Sequence, residues 1–258
     1  MECGICASES VRFAHHVIMG KYDVSYYRCP VCGFVQTEPP YWLDESYSEA
    51  INASDTGLVS RNIALSKLTK AVVALFFNGD GAFLDYGGGY GLLVRMMRDM
   101  GLDFYRHDKF CPNLFAKGFD SEEPPGKKYE LLTSFEVFEH LTSPVEEVGR
   151  MLELSENILF TTDILPEPCP APGEWWYYGL DHGQHVSFYT TEALRRIADR
   201  YDLNLYSHWS AHLFTRKKVS SVMFKLACSN MGRQLLCAMF RRESLLQRDW
   251  IEYMGKEK

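Results

Sequence analysis

The stretch Ala82-Phe83-Leu84-Asp85-Tyr86-Gly87-Gly88-Gly89-Tyr90-Gly91-Leu92 decides how this chain folds. Ala82 to Tyr86 reads as a short buried strand, set off from what precedes it by the turn residues Asn78-Gly79-Asp80-Gly81. The glycines then let the backbone turn sharply and approach a bound nucleotide closely. Leu92 to Met100 continues with apolar residues at helical spacing. Strand, glycine loop and helix in that order form the first unit of a doubly wound α/β sheet.

A glycine-rich turn also suits a dinucleotide enzyme or a plain tight turn, and two acids decide between these readings. Asp85 ends the strand, where its carboxylate would repel a pyrophosphate. Asp103-Phe-Tyr-Arg-His-Asp108 reads as the next strand and ends in an acid about twenty residues further on, where a carboxylate can hold a ribose diol. The expected ligand is a cationic, phosphate-free nucleoside cofactor, held by Asp85, Gly87, Gly88, Gly89, Gly91 and Asp108.

Towards the N-terminus lie Cys3-Gly-Ile-Cys6 and Cys29-Pro-Val-Cys32, four of the chain's 8 cysteines. Each pair sets two thiolates across a tight turn, and Val11 to Tyr27 alternates enough to form the hairpin that joins them. One tetrahedral, structural Zn2+ on Cys3, Cys6, Cys29 and Cys32 is the expected result. The spacer is slightly longer than the usual ribbon template, and a redox Cys-x-x-Cys is the alternative. So short a segment cannot build a core of its own, so metal is expected to supply much of its folding free energy. Cys111, Cys169, Cys228 and Cys237 are scattered and read as small apolar residues.

Lys and Arg number 27 against 34 Asp and Glu, a net charge of -7. No global positive field exists to gather phosphate polymers, so nucleic acid is not expected as a partner. The N-terminus Met1-Glu2-Cys3 lacks the basic stretch and apolar run of an export signal. No apolar run approaches the roughly 20 residues that span a bilayer. A cytoplasmic protein without a membrane span is expected.

The block Phe83 to Leu92, Asp108, and the stretch Tyr129-Glu-Leu-Leu-Thr-Ser-Phe-Glu136-Val-Phe-Glu139-His140-Leu141 together resemble the class I S-adenosylmethionine methyltransferases. The last stretch is similar to the fourth-strand motif of their small-molecule branch, and the resemblance runs roughly from Phe76 to Thr215. It implies a Rossmann-like, doubly wound seven-stranded sheet with one antiparallel strand. It also implies the glycine loop near the methionine part of the cofactor, Asp108 on the ribose, Ser134 and Phe135 lining the pocket, and Phe119 near the adenine. His107 and Glu130 depart from the family's usual residues at their positions. The cysteine region resembles the zinc-binding segment that precedes certain sugar methyltransferases, including C-methyltransferases of deoxysugar pathways.

After a helix from Pro144 to Leu152 and a strand from Asn157 to Thr162 comes a long loop, Asp163 to Tyr189. In open α/β sheets such loops border the ligand. Glu174, Trp175, Trp176 and Tyr178 offer a polar group and flat walls for a sugar ring, and they are the substrate candidates. His185, with Phe188 and Thr191 behind it, is the leading base candidate and His182 the second. Either histidine is equally suited to tie the loop down by hydrogen bonds. His140 follows Glu139 at a strand-to-helix junction and is a cofactor-site candidate for its position, or a loop anchor. Val219 to Arg242 is apolar at helical spacing, suited to packing or to dimerisation, and the sequence leaves the oligomeric state open.

The expected organisation is a zinc-binding module over 1–40, a linker and connecting helix over 41–77, a methyltransferase domain over 78–216 and a C-terminal helical extension over 217–258. The expected activity is methyl transfer from S-adenosylmethionine to a small polar acceptor, a sugar or nucleotide-linked sugar of glycan or secondary-metabolite synthesis. Two other classes stay open: a catalytically silent cofactor-binding scaffold that docks a partner through the zinc module, and a protein or RNA methyltransferase.

Overall fold

The computed structural model describes residues 1–47, 55–121 and 128–256, so the part of the expected linker over 48–54 lies outside the described residues. In chain order the first elements are β1 (Val11–Ile18), β2 (Tyr22–Arg28), β3 (Val35–Thr37), α1 (Leu43–Ser46), α2 (Leu58–Phe76), β4 (Ala82–Tyr86), α3 (Leu92–Asp99), β5 (Asp103–His107) and β6 (Leu131–Ser134). A single 3-10 turn (Phe138–His140) leads to α4 (Pro144–Leu154) and β7 (Asn157–Thr161). A second 3-10 turn (Trp176–Tyr178) leads to β8 (Ser187–Phe188), α5 (Thr191–Arg200), β9 (Asn204–His208), β10 (Ala211–Thr215), α6 (Ser221–Cys228), α7 (Asn230–Met239) and α8 (Leu246–Lys256).

Two compact units emerge. One comprises Met1–Asn52, Glu136–Arg150 and Phe160–Arg216, the other Ala53–Phe135, Met151–Leu159 and Lys217–Lys258. The strands form a six-stranded sheet ordered β5-β4-β6-β7-β10-β9 and a four-stranded sheet ordered β1-β2-β3-β8. β4 runs parallel to both β5 and β6, whereas β9 and β10 are antiparallel. This is a Rossmann-like α/β arrangement, with six strands among the described residues where seven were expected. Beside β5 the chain after Asp108 contributes one parallel bridge, Arg106 to Asp120, with Arg106 N–H donating to Phe119 O at 2.7 Å and Ser121 N–H donating to Arg106 O at 2.7 Å. Residues 122–127, which follow in this segment, lie outside the described residues.

In the second unit β4 is a central strand with neighbours on both sides, which explains its apolar run: Phe83 and Leu84 are wholly buried. Helix α2 turns Leu65, Leu68 and Val72 inward and packs against α3, α6 and α7. The apolar stretch from Val219 is two helices rather than one, because Ser229 accepts from Gly232 N–H at 3.1 Å and starts α7. Helix α8 is held by charge. Asp249 accepts Arg98 Nε and Nη2 at 2.8 and 2.7 Å and Arg95 Nη2 at 3.0 Å. Arg98 is 1% exposed and Asp249 4%, and Asp103 accepts Arg98 Nη1 at 2.5 Å.

In the first unit the cysteine hairpin is no free-standing ribbon. β3 pairs with β8, a strand that arrives some 150 residues later, through Val35 opposite Phe188 and Gln36 opposite Ser187. Ile18, Val24, Tyr26, Val35 and Trp42 share one core with Leu165, Tyr177, Tyr178, Val186 and Phe188. Burial in that common core, and not metal alone, therefore stabilises the hairpin. No helix among the described residues is long and apolar enough to cross a membrane.

Because Arg98 has almost no access to water, removing its bidentate partner leaves a buried guanidinium with Asp103 as its remaining carboxylate. Asp249→Ala should lower the free energy of unfolding by about 3 kcal/mol, read from urea titration, and a loss below about 1 kcal/mol would place the ion pair among inconsequential surface pairs.

Candidate functional site

The glycine loop is shaped by its own backbone and braced from β5. Gly87, Gly89 and Gly91 have φ of 71°, 51° and 85°, a region that side-chain-bearing residues rarely enter. A β-carbon on Gly88 would lie 2.9 Å from Arg106 Cγ and from Asp85 Oδ2. Asp108 does not stand apart as a ligand waiting on the loop. Its Oδ2 accepts Gly89 N–H at 2.9 Å, and its Oδ1 accepts the amides of Phe110 and Cys111 at 2.8 Å each. Oδ1 spends both lone pairs on those two amides, whereas Oδ2 keeps one, and the residue is half-buried, so Oδ2 is the oxygen left to accept a hydroxyl. Arg106, which the sequence reading passed over, donates to the carbonyls of Gly89 and Cys111 and through Nε to Asp120 at 2.7 Å. Its signal was an arginine at an inward-facing position of a buried strand.

Asp85 is 4% exposed, and its Oδ1 accepts the Thr133 hydroxyl at 2.7 Å. Burial pushes its carboxyl up to about 7, partly opposed by that hydrogen bond. Ser134 is wholly buried at the end of β6, and its Oγ has no hydrogen-bond partner among the described residues. Phe135 follows it, half-buried. His107 stacks on Tyr86 at 4.9 Å between ring centroids. Phe119 stacks on Arg98, whose Cζ lies 3.6 Å from the ring centroid.

The other unit gathers Glu139, His140, His182 and His185. The segment after β6 is stitched along β8: Val186 N–H donates to Glu139 O at 2.8 Å, Ser187 Oγ to Leu141 O at 2.6 Å and Tyr189 Oη to Phe138 O at 2.8 Å. That register sets the ring centroids of His140 and His185 at 4.9 Å and those of His182 and His185 at 4.8 Å. His185 Nδ1–H donates to Tyr177 O at 2.6 Å, and His140 Nδ1–H donates to Gln184 O at 3.1 Å, with Tyr47 Oη 3.0 Å away. Both Nε2 atoms therefore carry a lone pair. His182 has the opposite tautomer, because its Nδ1 accepts Gln184 N–H at 3.1 Å.

Burial lowers His140 to about 4 and, helped by His140, takes His185 well below the ordinary histidine value. Both are thus neutral at physiological pH, and weaker proton acceptors than an exposed imidazole. Glu139 is 1% exposed. Burial first, then the charge of Glu136, raise its carboxyl well above the usual range, against a hydrogen bond from Tyr177. Glu139 and Tyr177 were missed as site residues because nothing in their local pattern separates them from core positions.

The loop's aromatic residues divide. Tyr178 is 1% exposed, and its hydroxyl donates to Pro170 O at 2.8 Å, so it belongs to the core. Trp175 is half-buried against Tyr177 and Tyr178, whereas Trp176 is 76% exposed. Glu174 accepts Ala171 N–H at 2.8 Å and holds its own turn. At the hairpin base, Cys3 and Cys32 Sγ are 3.6 Å apart, Cys6 and Cys29 3.5 Å, and Cys6 and Cys32 3.6 Å. Thiolates around a tetrahedral zinc at 2.3 Å stand about 3.8 Å apart, so the quartet fits that ion.

No curated protein sequence matches the chain. Among solved structures it is similar to the methyltransferase of calicheamicin biosynthesis in its SAH-bound form, at 17% identity over 69% of this chain and 60% of that one, with a TM-score of 0.46. It is similar also to the plantazolicin methyltransferase BpumL with SAH and a monoazolic desmethyl analogue, at 13% identity over 76% and 86% and a TM-score of 0.48. A third is the Burkholderia thailandensis 1,6-didemethyltoxoflavin-N1-methyltransferase, at 11% identity over 78% and 97% and a TM-score of 0.48. The chain spans less than two thirds of the calicheamicin enzyme. Residues 61–208, more than half of the chain, match the family model described as a methyltransferase domain. With the acid-bounded glycine loop between β4 and α3, that match makes this chain a member of the class I S-adenosylmethionine-dependent methyltransferases.

Proposed function

We propose that the protein transfers a methyl group from S-adenosylmethionine to a hydroxyl-bearing small molecule, a sugar or nucleotide-linked sugar. The observation that carries the reading is the cradle in which Asp108 and Arg106 fix a loop of left-handed glycines beside the buried acid Asp85. The acidic net charge of -7 disfavours a polyanionic acceptor, and the cysteine region's likeness to that of sugar methyltransferases favours a sugar.

S-adenosylmethionine supplies an electrophilic methyl on a cationic sulfonium. The chain's own work is to orient and to manage a proton. Asp108 would accept the ribose hydroxyls, and Gly87 to Gly91 would let the backbone close on the cofactor, with Ser134 and Phe135 beside it. Trp176, exposed on the loop, offers a face to a sugar ring. The acceptor oxygen must lose its proton as it takes the methyl, and the pair of electrons of the broken S–C bond stays on sulfur. Within the first unit, His140 and His185 present bare Nε2 atoms suited to accept a proton, and His182 presents an Nε2–H suited to hold a hydroxyl. Zinc on the cysteine quartet is structural, since four thiolates fill its coordination sphere.

Asp108→Ala should weaken S-adenosylmethionine binding more than tenfold, about 1.4 kcal/mol, in titration calorimetry; unchanged affinity would remove Asp108 from the ribose. Asp85 gives a pH signature. Its carboxyl titrates near 7 in the free protein, and a neighbouring cation favours the ionised form. Affinity for S-adenosylmethionine should therefore rise from pH 6 to pH 8, less so for the uncharged thioether S-adenosylhomocysteine, and Asp85→Asn should flatten the rise. Metal analysis should find one zinc per chain. Cys32→Ser should abolish it and loosen the hairpin without unfolding the shared core, seen as amide exchange accelerating in β1 and β2 and staying slow at Phe188.

A further inference from the structure

We propose that Glu139, His140 and His185 form a second metal site, distinct from the cysteine quartet, which takes a divalent first-row transition ion and leaves coordination positions open to a hydroxyl or vicinal diol. The inference builds on the methyl-transfer reading in one respect, the hydroxyl-bearing ligand; the metal itself is argued from the three side chains.

One ligand atom from each of the three residues lies within 4.8 Å of the others. Tetrahedral ligands about 2.1 Å from one ion stand about 3.4 Å apart, so the three side chains close the site by drawing together by up to about 1.4 Å. The histidines are prepared in the way metal-bound imidazoles usually are. Each Nδ1–H is spent on a backbone carbonyl, of Tyr177 for His185 and of Gln184 for His140, which fixes the ring and leaves Nε2 as the donor atom. Those carbonyls are themselves placed by the β8 register and the second 3-10 turn, so the geometry is held by backbone.

Glu139 supplies the independent observation. Its Oε2 is buried without a hydrogen-bond partner among the described residues, an arrangement that is costly unless something positive or protic meets it. Glu136, three residues earlier, and Asp163 bring further negative charge to the same place. A cation answers all of these at once. Both imidazole rings are partly accessible, so an ion can enter and keep exchangeable positions. Two imidazoles and one carboxylate with open positions are the donor set of catalytic transition-metal sites, whereas four thiolates are that of a closed structural zinc. With both Nε2 lone pairs on the ion, proton removal no longer rests on the imidazoles: a hydroxyl bound at an open position gives up its proton to solvent water more readily than a free one.

The test uses the full chain with its cysteine site already loaded with zinc, titrated with Co2+ alone and followed by calorimetry and visible absorption. The expected result is one further equivalent of Co2+, with weak ligand-field bands and none of the intense charge-transfer absorption of thiolate ligation. Glu139→Gln and His185→Gln should each weaken that binding at least tenfold while zinc content stays at one. A wild-type chain that binds no Co2+ beyond exchange at the cysteines would overturn the proposal. So would intense thiolate bands alone, or folded variants that bind Co2+ as tightly as wild type. If the variants misfold, the wild-type stoichiometry and spectrum still decide. Absence of S-adenosylmethionine binding in the same preparation would count against the methyltransferase reading and leave the Co2+ result standing.

Discussion

The two residues of β8 are bonded on both flanks, and the first unit is organised around that constraint. On one side β8 pairs with β3 and so completes the sheet that carries the cysteine hairpin. On the other, Val186, Ser187 and Tyr189 bond in succession to the backbone of 138–141. A strand this short has little hydrogen bonding of its own to offer. Its position is secured by what it buries, since Phe188 is wholly inaccessible and packs on Tyr26, Trp175 and Tyr178. A register error of one residue would turn Phe188 outward and separate His185 from His140.

This arrangement gives the long loop after β7 a different meaning from the one its composition suggests. Rather than hanging free as a lid, it supplies half of a core, with Leu165, Tyr177 and Tyr178 facing Ile18, Val24 and Tyr26. The aromatic cluster is therefore mostly structural, and Trp176 is the member left exposed. The same packing ties the cysteine hairpin to the histidine cluster. Thr190, the N-cap of α5, donates to Cys32 O at 2.5 Å, a short path from the cysteine quartet to the strand that positions His185. Zinc in such a place would stiffen the frame of the histidine cluster as well as close the hairpin.

In the second unit the governing terms are electrostatic. Arg106 and Asp108 lie at the carboxyl end of β5 and grip the glycine loop from beneath, one through a carbonyl and one through an amide of the same residue, Gly89. A loop without side chains loses much conformational entropy on ordering, and these contacts offset that cost before any ligand arrives. Asp85 stays buried against Thr133, an acid whose charge state is left for its surroundings to set.

The sequence by itself determined the local units. Apolar run, glycines and periodic helix specify β4, its loop and α3; two Cys-x-x-Cys turns separated by alternating residues specify the hairpin and its thiol quartet; and the match over 61–208 follows from the same patterns. These rest on short-range rules of backbone geometry and hydrophobic period, which neighbouring residues suffice to express. Only the tertiary structure decided that β8 completes the hairpin's sheet, that six strands form the large sheet among the described residues, and that Tyr177 and Tyr178 are core while Trp176 is exposed. It also decided that Glu139, His140 and His185 converge, and which nitrogen of each ring is free. Several of those outcomes depend on contacts far apart in the chain, 44 positions for His140 and Gln184 and 153 for Val35 and Phe188, where burial and hydrogen-bond partners are set by the fold and leave no periodic trace in the chain.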